Sequence, residues 1–274
     1  MGHEVCLSGP RASAVSQLAS IYSNSNNNAS NNLGNNPPKP QLISKNISIL
    51  PINGLRHQKL KASELESATR KLWRKADAVC FDVDSTVCQA IDELAHYLGK
   101  GQEVAACTHL AMGGNMTFRE ALAIRLNLMK PNRQQLEQYV QTHPIRLTPG
   151  IADLIAELRR KNVDVYLVSG GFRSIIKPVA ELLNIDPNEP TSDSGSKHVG
   201  KAGVCGLLKT KKSYNTLIMV GDGATDAEAC PPADAFIGFG GNQVRESVKK
   251  LSDWYVHDFK TLMEELAVSQ EEEL

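Results

Sequence analysis

Four short apolar runs, rich in β-branched residues and separated by stretches with helical periodicity, constrain the fold of this chain more than any other feature. They cover residues 78–83, 163–168, 216–220 and 235–239. Each run has the length of a buried strand, and helical spacing precedes it, as at Leu154, Ile155 and Leu158 before the second run. Strands that alternate with helices need crossover connections, which favour a parallel sheet. We therefore predict an α/β fold with a Rossmann-like parallel sheet.

Acidic residues and glycines follow directly after three of these runs. Asp82 and Asp84 end the first run, Ser169-Gly170-Gly171 follow the second, and Gly221-Asp222-Gly223 follow the third. Residues two apart in a strand point to the same face, so Asp82 and Asp84 are expected to project together. Ligands of parallel sheets lie at the carboxyl ends of the strands. The sequence therefore predicts a binding or catalytic site at this edge.

The residue types at this edge indicate phosphate chemistry. Asp82 is a candidate nucleophile, and Asp84 is a candidate acid/base. The hydroxyl of Ser169 and the amides of Gly170 and Gly171 could hold phosphate oxygens, because glycine lets the backbone approach an anion closely. Any one of these motifs alone is also typical of a turn or a helix cap. Several of them at one sheet edge favour the functional interpretation.

Two further carboxylates and a lysine complete the predicted site. Asp222 is a hard oxygen ligand suited to Mg²⁺. Asp226 lies one helical turn further on and could orient a ligand or the lysine. Either Lys201 or Lys197 could neutralise the charge of a phosphate.

A long connection without a strand pattern separates the first run from Thr148-Pro149-Gly150. It contains about 60 residues, and a connection of this length inside an α/β unit is often a lid. Helical spacing occurs at residues 91–98, 118–129 and 133–140. We call residues 88–148 the helical insert, and we assign residues 63–87 and 149–274 to the α/β core.

Residues 1–62 differ in composition from the rest of the chain. Glu4 is their only acidic residue, and positions 23–36 are mostly Asn and Ser. Such a segment buries too little apolar surface to fold by itself. A basic, serine-rich and acid-poor segment is typical of an organellar transit peptide, and a disordered tail is the alternative. The plastid stroma is the predicted location, with the mitochondrion and the cytosol as alternatives.

Charge and hydropathy narrow the range of partners. Lys plus Arg and Asp plus Glu number 30 each, so no net charge favours nucleic acid. No apolar stretch approaches the roughly 18 residues of a membrane span. The six cysteines show no metal-ligand spacing, which favours free thiols in a reducing compartment. We expect a small-molecule substrate, no nucleic acid and no membrane partner, and the sequence leaves the oligomeric state open.

In combination, four motifs resemble those of a known family. Residues 82–87 (DVDSTV), 111–114 (AMGG), 169–173 (SGGFR) and 221–226 (GDGATD) are similar, in this order, to the motifs of phosphoserine phosphatases in the haloacid dehalogenase superfamily. The resemblance covers nearly everything from Leu72 to Leu266. With the leader, the chain is most similar to the plant plastid type.

The resemblance implies a Mg²⁺-dependent hydrolysis of O-phospho-L-serine to L-serine and phosphate, the last step of phosphorylated serine biosynthesis. By this resemblance Asp82 forms an aspartyl phosphate and Asp84 is the general acid/base. Asp82, the backbone carbonyl of Asp84, and Asp222 would bind the metal, with Asp226 in support. Contacts to the phosphate or to the serine part would come from Met112, Gly113, Arg125, Ser169, Gly170, Gly171, Lys201 and Thr225.

The chain departs from the family pattern in three places. Cys88-Gln89-Ala90 form a linker about two residues shorter than usual, and it lacks the Glu expected to pair with the substrate's ammonium group, a loss of roughly 2–5 kcal/mol for a buried charge pair. Asp92 or Glu93 could substitute for that Glu. After Ile185 about twenty residues are missing, so we predict that an edge strand and a hairpin are absent and that the next strand is uncovered.

The third departure concerns the lysine. Lys201 lies 21 positions before Asp222, as the family spacing requires, while Lys197 stands in the more familiar motif. Lys201 is our choice. These departures suggest a variant or incomplete form, and they leave two alternatives open: a weakened or non-catalytic variant that keeps the metal site, and a phosphatase for another small phosphomonoester.

Overall fold

A five-stranded parallel sheet forms the centre of the protein. The structure, a computed structural model, describes residues 61–111, 118–171, 173–186 and 200–268. The strand order is β2-β1-β3-β4-β5. The strands are β1 (Ala78–Phe81), β2 (Asp164–Leu167), β3 (Leu217–Gly221), β4 (Ala235–Phe239) and β5 (Trp254–Val256). The predicted α/β class with a Rossmann-like parallel sheet is confirmed.

Helices follow or precede these strands along the described chain. They are α1 (Ala62–Arg74), α2 (Ala90–Tyr97), α3 (Gly101–Ala111), α4 (Phe118–Met129), α5 (Arg133–Thr142), α6 (Ile151–Arg160), α7 (Arg173–Leu182), α8 (Lys201–Lys212), α9 (Ala224–Ala227), α10 (Glu246–Leu251) and α11 (Phe259–Ala267). The amphipathic pattern of α6 is the one expected from the sequence, since Ile151, Leu154, Ile155 and Leu158 are all buried.

The three inner strands are buried along their whole length, which explains their continuous apolar sequences. In register, Phe81 on β1 lies opposite Leu167 on β2 and Val220 on β3. The residues that follow these three positions therefore emerge side by side at the carboxyl edge of the sheet. The four predicted runs correspond to β1–β4, while β5 was not predicted because its three residues are too few for a periodic pattern.

β2 is an edge strand of the described sheet. Asp164 is exposed, and Val165 and Leu167 are only partly buried, in contrast to the inner strands. The segment in which a further strand and hairpin are predicted to be missing falls largely on residues 187–199, which lie outside the described residues. The absence of that strand stays a prediction.

Between β1 and α6 the described part of the chain contains four helices, α2 to α5, joined by turns and short connections, and no strand. Helix α3 was not predicted, because its apolar residues do not fall on one face. At the two ends of the insert the chain pairs with itself, since Cys88 forms an isolated antiparallel bridge with Leu147. The Thr148 amide donates to the Val87 carbonyl over 2.8 Å. The division into core and insert remains a prediction.

Helices α1 and α11 are the first and last helices of the described chain, and they pack against each other. The indole Nε1 of Trp73 donates to the carbonyl of Leu262 over 3.0 Å. The buried carboxylate of Glu265 accepts from Arg70 Nη1 at 2.5 Å and also from Arg74. No helix in the described part of the chain has the length and hydropathy needed to cross a bilayer.

Replacing Glu265 with Gln is expected to lower the free energy of unfolding by about 1–3 kcal/mol, because two guanidinium groups lose a buried charged acceptor. Urea denaturation followed by circular dichroism measures this change. The matched control is Glu264→Gln on the same helix, where the partner, Lys260, is 3.4 Å away and both side chains are exposed. A control as destabilised as Glu265→Gln would contradict the expectation.

Candidate active site

The nucleophile candidate, Asp82, is the first residue beyond β1. Its amide continues the sheet by donating to the Val220 carbonyl over 2.9 Å. Its carboxylate oxygen Oδ1 accepts from the amide of Val83 over 2.7 Å. The backbone of Asp82 is therefore fixed by the sheet, and its largely buried side chain is oriented by the Val83 amide.

Lys201, the first residue of α8, holds two carboxylates together. Its Nζ lies 2.6 Å from Asp82 Oδ1 and 2.6 Å from Asp226 Oδ1, and all three side chains are buried. Burial by itself lowers the pKa of Lys201, but the charges of Asp226 and Asp82 outweigh that effect and raise its pKa above the usual value. The lysine is therefore a permanent cation at the site.

Asp226 is held at both oxygens. Oδ1 contacts Lys201, and Oδ2 accepts from the Gly223 amide over 2.9 Å at the start of α9. A Cβ atom on Gly221 would overlap the Asp226 carboxyl group, so glycine is required there. Burial and the charge of Asp82 raise the pKa of Asp226 to about 6, against the opposing effect of Lys201. With both oxygens engaged, Asp226 is suited to orient the lysine.

Asp222 is the third buried carboxylate of the site. It is 1% exposed, and its Oδ2 has no hydrogen-bond partner of good geometry, although Arg245 Nη1 lies 2.5 Å away as an ion pair. Burial raises the pKa of Asp222, and the nearby charges of Asp82 and Asp226 act in the same direction against Arg245. Oxygen atoms of Asp82, Asp222 and Asp226 lie within 4.8 Å of one another. Three hard oxygen donors this close together fit a divalent cation.

Asp84 lies between β1 and the helical insert. Its Oδ1 accepts from the Ile91 amide in the first turn of α2 over 3.0 Å. Burial raises the pKa of Asp84 to about 6, and the charges of Asp92 and Asp82 add to the rise, while the Ile91 amide and Arg125 oppose it. A carboxyl group that titrates near neutral pH can both donate and accept a proton.

The phosphate-binding candidates lie at the same edge. Val168 still pairs with Phe81, so Ser169 is the second residue beyond β2, and its Oγ accepts from the Gly171 amide over 3.1 Å. Ser169, Gly170 and Gly171 are partly exposed, as a surface that receives a ligand must be. Thr225 is partly exposed on α9, beside Gly223.

Arg125 comes from the insert. It lies on α4, is 9% exposed, and its Nε donates to the Ala121 carbonyl of the preceding turn over 3.3 Å. Its positive charge opposes the rise in the pKa of Asp84. Met112, Gly113 and Lys197 lie outside the described residues, so their predicted roles stay predictions.

The structure brings Asp82, Asp222, Asp226 and Lys201 into one buried cluster, as their positions at strand and helix ends predict. The sequence reasoning missed Arg245, which binds both the side chain and, over 2.9 Å, the backbone carbonyl of Asp222. One signal could have revealed it, because Arg245 follows β4 on the same edge as the other site residues.

Comparison with known proteins gives the family. A family model described as haloacid dehalogenase-like hydrolase matches residues 76–234. Phosphoserine phosphatase of Rattus norvegicus is 48% identical over 223 residues, which cover 73% of this chain and 97% of the rat protein. The chloroplastic phosphoserine phosphatase of Arabidopsis thaliana is 46% identical over 220 residues, covering 71% of this chain and 73% of the plant protein.

Among solved structures, DsGPDH of Dunaliella salina is 35% identical with a TM-score of 0.64, and the match covers 73% of this chain and 37% of that one. The chain belongs to the phosphoserine phosphatases, within the haloacid dehalogenase-like hydrolases.

Proposed function

We propose that this protein is a Mg²⁺-dependent phosphatase that hydrolyses O-phospho-L-serine to L-serine and phosphate through an aspartyl-phosphate intermediate. The observation that carries the proposal is the buried cluster in which Lys201 joins Asp82 to Asp226, with Asp222 alongside. Burial of such a charged cluster is energetically unfavourable. A reaction on a dianionic phosphate explains why it is present, because preorganised charges stabilise the transition state. We infer the substrate from the names of the relatives, which are phosphoserine phosphatases.

Asp82 is the nucleophile in this proposal. The contacts described for its side chain, to the Val83 amide and to Lys201, both use Oδ1. Oδ2 is therefore the atom that attacks phosphorus, forming one P–O bond as the bond to the serine oxygen breaks. Lys201 stabilises the charge on the transferring group, and the amides after Ser169 receive its other oxygens.

Asp84 moves the protons. In the first step its carboxyl group gives a proton to the departing serine oxygen. In the second step the carboxylate takes a proton from water, whose oxygen attacks phosphorus and breaks the P–O bond to Asp82. The free acid of Asp84 and the carboxylate of Asp82 are thereby restored, and phosphate leaves.

The donor set suits Mg²⁺. Asp82 and Asp222 would hold the ion with the backbone carbonyl of Asp84, while both oxygens of Asp226 are already engaged by Lys201 and Gly223. The closeness of the Asp82 and Asp222 oxygens within one buried group gives the strongest support for this assignment. When bound, the ion neutralises charge on the transferring phosphoryl group.

Two charged residues near Asp84 are proposed to recognise the serine part. Arg125 presents a planar fork that pairs well with a carboxylate. For the ammonium group we choose Asp92 over Glu93. The charge of Asp92 raises the pKa of Asp84, whereas the charge of Glu93 raises the pKa of Tyr139. Asp92 would thus take the place of the Glu that the shortened linker lacks.

The shortened linker also favours a second candidate function, hydrolysis of a small phosphomonoester without an ammonium group. A non-catalytic or weakened variant that keeps the metal site is the remaining alternative. Phosphate release from phosphoserine and from p-nitrophenyl phosphate, with Mg²⁺ present, separates the three. Release from phosphoserine supports our proposal, release from the aryl phosphate alone supports the second function, and release from neither by folded protein supports a non-catalytic variant.

We further propose that the protein acts in the plastid, at the last step of phosphorylated serine biosynthesis. The acid-poor, serine-rich composition of residues 1–62 and the chloroplastic relative in Arabidopsis support this location. A fluorescent protein fused behind residues 1–62 is expected to accumulate in plastids of leaf cells. Fluorescence in mitochondria or throughout the cytosol would contradict the proposal.

Asp82→Asn is expected to lower phosphate release from phosphoserine by about a thousandfold or more, because the amide is a poor nucleophile. Chelation of divalent cations with EDTA is expected to abolish release by the unchanged protein, and added Mg²⁺ should restore it. Asp77→Asn, at the opposite end of β1, is the matched control and is expected to remain active. Substantial turnover by folded Asp82→Asn protein would refute the assigned nucleophile.

Asp92→Asn is expected to raise KM for phosphoserine about tenfold, since one charge-assisted contact to the substrate is lost. Its KM for p-nitrophenyl phosphate, which has no ammonium group, should stay unchanged. Glu93→Gln on the same helix serves as the control, with little expected change in either KM. If Glu93→Gln raises KM for phosphoserine and Asp92→Asn does not, the two assignments must be exchanged.

A further inference from the structure

Asn242 lies in the loop after β4 and contacts both chain segments that join the helical insert to the core. Its Nδ2 donates to the carbonyls of Ser85 and Thr86, over 3.1 and 3.3 Å, on the outgoing segment. The same nitrogen donates to Thr148 Oγ1 on the returning segment over 2.7 Å. One side-chain amide thus joins the two connections at the point where they leave the core.

The loop that carries Asn242 is itself fixed to the core. The Gly240 amide donates to the Val256 carbonyl on β5 over 2.8 Å. A Cβ on Gly241 would lie 2.5 Å from the Phe239 ring and 2.7 Å from the His257 carbonyl oxygen. Because only glycine fits so close to these neighbours, the base of Asn242 has little freedom to shift.

The outgoing segment has a backbone that needs support. Ser85, which follows Asp84 directly, has φ of 63°, a left-handed conformation that is unfavourable for a residue with a Cβ. Its amide donates to the Cys88 carbonyl over 2.7 Å, and its carbonyl accepts from Asn242. Both backbone polar groups of Ser85 therefore form hydrogen bonds, and Asn242 supplies one of the two partners.

The returning segment is tied to the same place. Thr148 Oγ1 donates to the Thr86 carbonyl over 2.7 Å while it accepts from Asn242. Thr86 and Thr148 are buried, so water cannot replace these contacts freely. The hydrogen bonds form a closed network of Asn242, Thr86 and Thr148 beside Asp84.

We propose that Asn242 is a positioning residue for the phosphatase reaction: by holding Ser85, Thr86 and Thr148 it fixes where Asp84 stands and where the insert begins. This inference rests on the proposed function, because it concerns delivery of a proton to the serine oxygen. Asn242 touches neither substrate nor metal in this account. It acts through the segment that carries Asp84.

The test compares kcat/KM for two substrates that differ in their need for a proton. The alkoxide of serine must be protonated as it leaves, whereas the phenolate of p-nitrophenyl phosphate leaves without help. Asn242→Ala is expected to lower kcat/KM for phosphoserine about 10- to 100-fold, the size of effect typical of a misplaced catalytic group, and for the aryl phosphate less than about threefold. A purely structural loss would lower both values equally.

Asn242→Asp is the sharper variant, because it preserves shape but replaces the two N–H donors with an acceptor facing three oxygens. It is expected to lose more activity on phosphoserine than Asn242→Ala. Val244→Ala, an exposed position in the same loop, is the matched control. All assays are run below the melting temperatures of the variants, which are measured in parallel. Equal loss on both substrates, no loss in Asn242→Ala, or full activity in Asn242→Asp would overturn the inference.

Thr148→Val supplies a second route if the Asn242 variants do not fold. It removes the oxygen that makes the shortest contact with Asn242, and the same selective loss on phosphoserine is expected. Unchanged activity of Thr148→Val would then count against the inference.

A readout without substrate separates this inference from the proposed function. Amide hydrogen exchange of Ser85 and Thr148 should become faster in Asn242→Ala, with peptides from α11 unchanged. If the unaltered protein does not hydrolyse phosphoserine, the proposed function fails, and exchange still tests the network. Equal exchange rates in the two proteins would reject the role of Asn242.

Discussion

The ion pairs of Lys201 with Asp82 and Asp226 are the interaction on which the rest of the site depends. A lysine buried alone would give up its proton, and two buried carboxylates alone would repel each other. Together they form a cluster that can exist away from water. The cluster joins β1, α8 and α9, so the position of each element affects the charge balance of the other two. Removal of Lys201 would leave two carboxylates buried without a cation, which is far more costly than the loss of a surface ion pair.

Much of the site could be predicted from the sequence because strand ends are easily recognised. Apolar runs end where the sheet ends, and a parallel sheet brings those ends to one edge, so Asp82, Asp222 and Ser169 follow from the pattern alone. The strand order β2-β1-β3 then brings the residues that follow these strands next to one another. The choice of Lys201 over Lys197 came from spacing, and the structure places Lys201 against Asp82, while Lys197 lies outside the described residues.

The parts that were not predicted share a physical reason. Helix α3 and strand β5 are held by their neighbours, because one has no apolar face and the other has three residues. Arg245 and Asn242 are polar residues in a loop, where no periodicity marks their partners. The partners of Asn242 lie 94 to 157 positions away in the chain. Such contacts are created by the fold, and a single sequence carries no local sign of them.

The place of β1 in the sheet has a consequence for synthesis of the protein. β1 lies between β2 and β3, and the residues that meet at its end come from distant parts of the chain, since Thr86 and Asp222 are separated by 136 positions. At ordinary rates of translation, about 5–20 residues per second, β1 waits roughly 7 to 27 seconds for its second neighbour, β3. During that time the unpaired N–H and C=O groups along one edge of β1 are open to other chains. A strand that is completely buried in the folded protein thus needs protection from other chains while the protein is being made.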